Sequence, residues 1–378
     1  MPPYSPDALR RWPDLEAPEL LATDAADRLI LDESADARQH APDGTIVVIG
    51  DAYGALTLGS ADAGATGIRV HQDPLAGERA LEANARTAGM SDAFRSMDLD
   101  AALVSGARVV LLRLPRALDA LEDIAGLIAA HADPEVSVFA GGRLKHMSLT
   151  MNDVLRRSFE LLDVTHARQK SRVLLARRPL AGADPRPRTG SHTVAGLTEP
   201  VTVCAFGGAF AGPSIDIGTR FLLEQLADLD RVGDGDIIDF ACGTGVIATW
   251  LALRHPERSV IASDQSASAT ASAAATAQAN GVADRVEVVR DLGLSSRADA
   301  SASFIAVNPP FHTGSAVPLS GVAAPLFAEA GRVLAPGGEL WAVWNSPLQY
   351  RPTLERLVGR TRQVARNSKF TVTVSTRS

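Results

Sequence analysis

"DIIDFACGTGVIATWLALRH", Asp236 to His255, decides the fold. An apolar run reaches a Gly-x-Gly turn, and an apolar stretch long enough for a helix follows. Strand, glycine turn and helix in this order open a doubly wound sheet. The glycines let the backbone approach a ligand, and the helix N-terminus favours negative charge. Alone, the pair Gly243 and Gly245 fits equally a junction that merely needs glycines. No Gly-Lys-Ser/Thr follows, which excludes a P-loop. Ala248 stands in the third glycine position, so a dinucleotide site stays open.

The plan continues downstream. "SVIASDQSASATASAAATAQANG" (Ser259–Gly281) reads as strand, acid and helix, and "VEVVRD" (Val286–Asp291) as a strand ending in an acid. "FIAVNPPF" (Phe304–Phe311) is a strand stopped by two prolines. "PLFAEAGRVL" (Pro325–Leu334) is a helix, and "GELWAVWN" (Gly338–Asn345) a strand after the Pro336–Gly338 turn. The first half has the same plan. "TIVVIGDAYGALTLG" (Thr45–Gly59) runs into a turn, and "GIRVHQD" (Gly67–Asp73) ends in an acid. "ARVVLLRLP" (Ala107–Pro115) and "VSVFAGG" (Val136–Gly142) are further strands, with helices between. Strands alternating with helices give βαβ units and a mostly parallel sheet. "AGADPRPRTGS" (Ala181–Ser191) has no apolar periodicity and is the natural linker.

Each polar singularity falls at a strand's carboxyl end, where open α/β sheets bind ligands. Asp264 lies about twenty residues beyond the glycine turn, the spacing of an acid that accepts from both ribose hydroxyls; a helix cap is its ordinary alternative. Asp291 suits an adenine amino group or a turn equally. Asn308-Pro309-Pro310-Phe311 separates the chemistries. The prolines fix φ and remove backbone donors. The Asn side chain and the neighbouring carbonyl are then held to accept from one planar –NH2, aiming its lone pair at an electrophile. Phe311 offers a face for a planar base. Hydride transfer has no use for this arrangement.

Together, "DFACGTG", Asp264, Asp291 and "NPPF" resemble class I S-adenosylmethionine-dependent methyltransferases acting on exocyclic or amide nitrogens. The upstream "AFAGPSIDIGTRFLLEQL" (Ala209–Leu226), with "NPPFH", is similar to the RsmC/RlmG ribosomal RNA guanine-N2 methyltransferases, closer to the large-subunit type. The resemblance implies an α/β chain of two tandem Rossmann-like domains, only the second keeping the cofactor motifs. It implies that Asp239, Cys242, Gly243 and Gly245 line the methionine part of S-adenosylmethionine. Asp264, with Gln265 beside it, would take the ribose and Asp291 the adenine. Asp216 and Gly218 would close over the cofactor. Asn308, which also borders the cofactor, and the Pro309 carbonyl would hold the amine, with Phe311 stacked on the base. His312 matches the motif without a basic role. The expected boundaries are a degenerate RNA-recognising domain over 1–180, a linker over 181–195 and a catalytic domain over 196–378. The first half has lost chemistry: Ala52 and Tyr53 crowd its turn, and "LRLPR" (Leu112–Arg116) replaces the Asn-Pro-Pro-Phe motif.

The bulk figures fit. A chain of 378 residues with 46% hydrophobic and 21% charged residues supports two cores. No apolar run is long enough to span a membrane, and no secretory pattern opens the chain. The cysteines, Cys204 and Cys242, follow no metal spacing and suit a reducing compartment. A cytoplasmic monomer without metal is expected. Net charge is −7, yet Arg143–Arg188 carries eleven Lys/Arg against four Asp/Glu, and Arg351–Ser378 seven against one. These basic stretches favour a phosphate-bearing partner such as RNA, and the resemblance implies ribosomal RNA, naked or in a subunit. The same motif serves a protein glutamine, an adenine N6 or a small molecule. A non-catalytic RNA-binding assembly factor is the alternative from another class, disfavoured by the intact Gly243, Gly245, Asp264 and Asn308.

Overall fold

The computed structural model describes residues 4–229, 232–310 and 320–378. The chain forms two compact units, Met1–Arg186 and Pro187–Ser378. In the first, the strands are β1 (Ile46–Ile49), β2 (Ile68–His71), β3 (Phe94–Ser96), β4 (Val109–Arg113), β5 (Ser137–Arg143), β6 (Phe159–Val164) and β7 (Ser171–Pro179). They make one sheet in the order β3-β2-β1-β4-β5-β7-β6. The first five are parallel, and β7 runs antiparallel to both neighbours.

The second unit begins with the hairpin β8 (Arg188–His192) and β9 (Val201–Ala205). Its main sheet contains β10 (Asp236–Phe240), β11 (Val260–Asp264), β12 (Val286–Arg290), β13 (Ala302–Val307), β14 (Leu334–Asn345), β15 (Gly359–Arg366) and β16 (Phe370–Arg377). The order β12-β11-β10-β13-β14-β16-β15 repeats the first sheet strand for strand, including the antiparallel β16.

Apolar runs without polar alternation form the central strands because both faces are covered. Val47, Ile49, Val110 and Leu112 face one core, and Ile46, Val48, Val109 and Leu111 the opposite one. In the second unit Ile237, Phe304, Ala306 and Trp341 face one side, and Ile238, Phe240, Ile305 and Leu340 the other. Strand periodicity of two divides each run between two cores.

Four features differ from the sequence expectations. Both sheets end in an antiparallel pair, β6/β7 and β15/β16, whose many arginines hide the strand pattern. Arg188–His192 lies within the expected linker yet pairs as β8 with β9. The Pro336–Gly338 turn is absorbed into β14 as a register irregularity, Ala302 facing Leu334 and Phe304 facing Glu339. The Ala/Ser/Thr-rich helix Ala267–Ala279 has a specific partner. Thr276 bonds both the amide and carbonyl of Cys204, Asn280 does the same for Thr202, and Ser272 accepts from the Phe206 amide at 2.9 Å. Small side chains let the helix approach β9, and its hydroxyls satisfy backbone groups that would otherwise lack partners.

Candidate active site

The site lies at the carboxyl ends of β10, β11 and β13. The turn after β10 places Ala241, Gly243 and Gly245 at φ 57°, 54° and 71°. The two glycines serve different ends. A Cβ on Gly245 would lie 2.7 Å from Ala273 Cβ, so Gly245 lets the helix Ala267–Ala279 pack closely. A Cβ on Gly243 would meet nothing within 4 Å, so Gly243 faces open space in front of the turn. Packing explains one glycine, and a bare backbone edge for a ligand suits the other.

Asp239 is 1% exposed, and its Oδ2 accepts from the Ala248 amide at 2.9 Å. It caps the helix Val246–Arg254 from the strand below, a task the capping Gly245 cannot perform. Its Oδ1 has no partner among the described residues. Burial raises its pKa well above the carboxylate range, reinforced by the nearby charge of Asp264. Burial, then Asp239 and Asp264, likewise raises the Cys242 thiol, so Cys242 lines the site as a protonated thiol and not a nucleophile.

Asp264 ties two elements together. Its Oδ2 accepts from the Gly243 amide at 3.0 Å and its Oδ1 from the Ser266 amide at 3.0 Å. The helix cap is Ser266, whose hydroxyl accepts from the Ala269 amide at 3.1 Å. Gln265 is exposed between them. Asp291, 4% exposed, accepts from the Ser295 hydroxyl and from both the amide and hydroxyl of Ser296, the latter at 2.8 and 2.7 Å. Burial works to raise its pKa, but these hydrogen bonds prevail and hold it below the usual value. The Asp291 side chain therefore braces its own turn.

Asn308 follows β13, and Pro309 is buried. The Asn308 amide nitrogen donates to Asp216 Oδ2 at 3.0 Å and to Thr219 Oγ1 at 2.9 Å. A carboxylate can only accept, so these contacts fix which end of the amide is nitrogen. Among the described residues, Asn308 Oδ1 is left buried without a partner. Asp216 caps the helix Ile217–Leu226, accepting from the amides of Gly218 and Thr219 at 2.8 and 3.3 Å. Gly218 thus acts through its backbone. Thr219 is a site residue that sequence reasoning missed. Its signal was the third position after a capping Asp, but the partner lies 89 residues away.

Asp216, Thr219, Cys242, Gly243 and Asn308 line a cavity of about 50 Å³, with Phe210 at its mouth, 60% exposed. This enclosed part holds a few heavy atoms. Volume does not mark the site, since a cavity of about 520 Å³ is walled by the N-terminal segment Pro6–Arg28 alone. Gly218, Asp239, Gly245, Asp264, Gln265 and Asp291 do not line this cavity. Phe311 and His312 lie outside the described residues.

The first unit has the same framework with different chemistry. Gly50, Ala52 and Gly54 hold φ 78°, 60° and 103°, so the turn that looked crowded keeps the path of Ala241, Gly243 and Gly245. Ile49 faces Leu112 as Phe240 faces Val307, which sets Arg113 in the place of Asn308. Asp24 caps the helix Ala25–Glu33 as Asp216 caps its counterpart. Asp27 corresponds to Thr219. Arg113 Nη1 donates to Asp24 Oδ1 at 2.8 Å and to Asp27 Oδ1 at 2.6 Å. A guanidinium has no acceptor atom, so Arg113 cannot hold an amine as Asn308 can. Ile49 pairs with His71 as Phe240 pairs with Ser263, which brings Gln72, one residue before Asp73, to the position of Asp264.

The comparisons with known proteins agree along the whole chain. A family model described as the methyltransferase small domain matches residues 200–374, and the RLMG N-terminal domain model matches residues 3–180. The Ribosomal RNA large subunit methyltransferase G of Streptomyces avermitilis is 32% identical over 375 residues, covering 98% of this chain and 97% of that one. The protein of the same name from Pseudomonas aeruginosa is 31% identical over the same shares. Among solved structures, the T. thermophilus 16S rRNA N2 methyltransferase RsmC, in complex with AdoMet and guanosine, superposes with a TM-score of 0.75 at 20% identity. That likeness covers 96% of this chain and 97% of that one, and it identifies the fold. The chain belongs to the ribosomal RNA large subunit methyltransferase G family.

Proposed function

We propose that the second unit transfers a methyl group from S-adenosylmethionine to the exocyclic N2 amine of a guanine in large-subunit ribosomal RNA. The observation that carries this is Asn308 Oδ1, a buried acceptor beside the glycine turn with no partner among the described residues. An unpaired buried carbonyl costs about 1–3 kcal/mol, and a substrate amine would relieve it. The residues fit the cofactor. Gly243 presents bare backbone, and Asp264 stands beside it at the end of β11, accepting from the amides of Gly243 and Ser266, where a carboxylate can accept from a ribose hydroxyl. The unpartnered Asp239 Oδ1 lies beneath the turn.

S-adenosylmethionine supplies an electrophilic methyl group when bound. Asp216 and Thr219 hold the Asn308 amide so that Oδ1, with the Pro309 carbonyl, accepts from the two amine hydrogens. The lone pair on N2 is then directed at the methyl carbon, and the amine gives up one proton to water. No strong base is required, in keeping with the protonated Cys242. Phe210 supplies an apolar rim for the base, and Phe311 is proposed to stack on it. We assign RNA recognition to the first unit, whose corresponding site lacks an amine acceptor.

Incubating the full chain with S-adenosylmethionine and an unmodified large-subunit rRNA transcript should yield N2-methylguanosine by nucleoside mass spectrometry. Methylation of adenine N6 or of a protein glutamine instead would overturn the substrate assignment. Absence of S-adenosylmethionine binding by calorimetry would overturn the enzyme reading itself.

A further inference from the structure

The site that has lost its chemistry has gained a different cavity. At the carboxyl ends of β4 and β5 an opening of about 350 Å³ is lined by Arg113, Arg116, Gly142, Arg143, Lys145 and His146. Register explains the room. Leu112 faces Ala140 as Val307 faces Ala342, so Gly142 stands where the second unit has Trp344. An indole is replaced by a hydrogen atom.

Charge fills the walls of this opening. Arg113 is neutralised by Asp24 and Asp27. Among the described residues, Arg116, Arg143 and Lys145 form no ion pair. Elsewhere in the same basic stretch Arg156 pairs with Asp153, Arg157 with Glu122, Arg177 with Asp163 and Arg178 with Glu160, while Lys170, Arg172 and Arg186 form no ion pair among the described residues. Three cations without an ion-pair partner thus share one recess, whose lining also includes Asp24, the partner of Arg113. The His146 imidazole lies 3.5 Å from Arg116. Burial, then Arg116, Lys145, Arg113 and Arg143, lowers its pKa, so four cations act on one ring.

We infer that this cavity is a phosphate-binding site that holds the RNA backbone, formed by Arg116, Arg143 and Lys145 at the place where the second unit holds its target amine. The inference rests on RNA being the substrate. Cations set around a recess suit a phosphate oxygen cluster, and a bare Gly142 wall admits it. The paired Arg113 gives the recess a fixed floor.

The test is binding of the unmodified large-subunit rRNA transcript by the full chain across a salt series. Removing two phosphate contacts with Arg116→Ala and Lys145→Ala together should lower the salt slope by about two and weaken binding roughly tenfold or more at 0.1 M salt. Gly142→Leu fills the recess without changing charge; a Cβ there meets Met147 and Leu114 at ordinary contact distances of 3.5 and 3.6 Å. It should weaken the same RNA. The paired, exposed Arg156→Ala with Arg157→Ala serves as control and should change binding little. Calorimetric S-adenosylmethionine affinity should be the same in all. If the control pair weakens RNA as much as the cavity pair, or if Gly142→Leu binds normally, the recess is not the site. If the wild-type chain binds no transcript, this inference and the rRNA assignment both fall. If it binds and the cavity variants bind equally well, this inference alone falls.

Discussion

Asn308 and Arg113 occupy one position in two copies of the same framework, and their atoms decide what each copy can do. Asn308 spends its two donors on Asp216 and Thr219 and keeps an acceptor free. Arg113 spends donors on Asp24 and Asp27 and has no acceptor to keep. Asn308→Ala should therefore leave S-adenosylmethionine affinity nearly unchanged by calorimetry and lower kcat by about 10²-fold or more, since only the amine loses its holder. Thr219→Val removes one acceptor from the amide nitrogen. A bond of about 1 kcal/mol corresponds to roughly a fivefold fall in kcat, with cofactor affinity retained. A Thr219→Ser variant, which restores the hydroxyl, should recover most of the rate; failure to recover it would assign Thr219 a packing role only. The Asn308 motif was legible in the sequence because prolines mark it. Thr219 was not, because nothing local marks a hydroxyl whose partner is 89 residues away.

At the level of elements, the glycine turns show how the same path is capped in two ways. In the second unit Asp239, on β10, accepts from the Ala248 amide. In the first, the acid sits in the turn itself: Asp51 accepts from the amides of Leu56 and Thr57 at 2.7 and 2.8 Å. Burial raises the Asp51 carboxyl to about 7, against the lowering by those amides. A folded pKa above the unfolded value of about 4 means that the folded unit binds the proton more tightly. Stability of this turn is thus greatest below about pH 4, falls as pH rises toward about 7, and is level above that. Exchange protection of the Ile46–Leu58 segment, measured in wild type and Asp51→Asn at matched pH, should lose this trend in the variant; an identical trend would show that another group titrates. The strands and helices around both turns were legible from apolar runs and glycines. The acid that ends the stretch after β2, Asp73, stands one residue beyond the position of Asp264, which Gln72 takes; such a one-residue offset is set by register and changes the face of a strand. The edge strands β8 and β15 were not legible. Arg360, Arg362 and Arg366 of β15 are exposed, and charged edges protect against further pairing at the expense of the apolar pattern.

Across the whole molecule, two sheets of identical strand order carry one site with a buried, unpartnered Asn308 oxygen among the described residues and one basic recess. The repeat was visible in the sequence as two runs of alternating strands and helices. The exchange was only half visible, since the loss of Asn-Pro-Pro-Phe can be read directly but the gain of a recess depends on Gly142 standing at the position of Trp344, a matter of register. One S-adenosylmethionine per chain is the expected stoichiometry, and a second calorimetric site would contradict the reading of Arg113 and Gln72. The most direct test of the central claim is nucleoside mass spectrometry of large-subunit rRNA from cells with the gene deleted and then complemented. N2-methylguanosine at one position should disappear on deletion, return with the wild-type gene and stay absent with Asn308→Ala. An unchanged nucleoside profile on deletion, or full restoration by Asn308→Ala, would contradict the account.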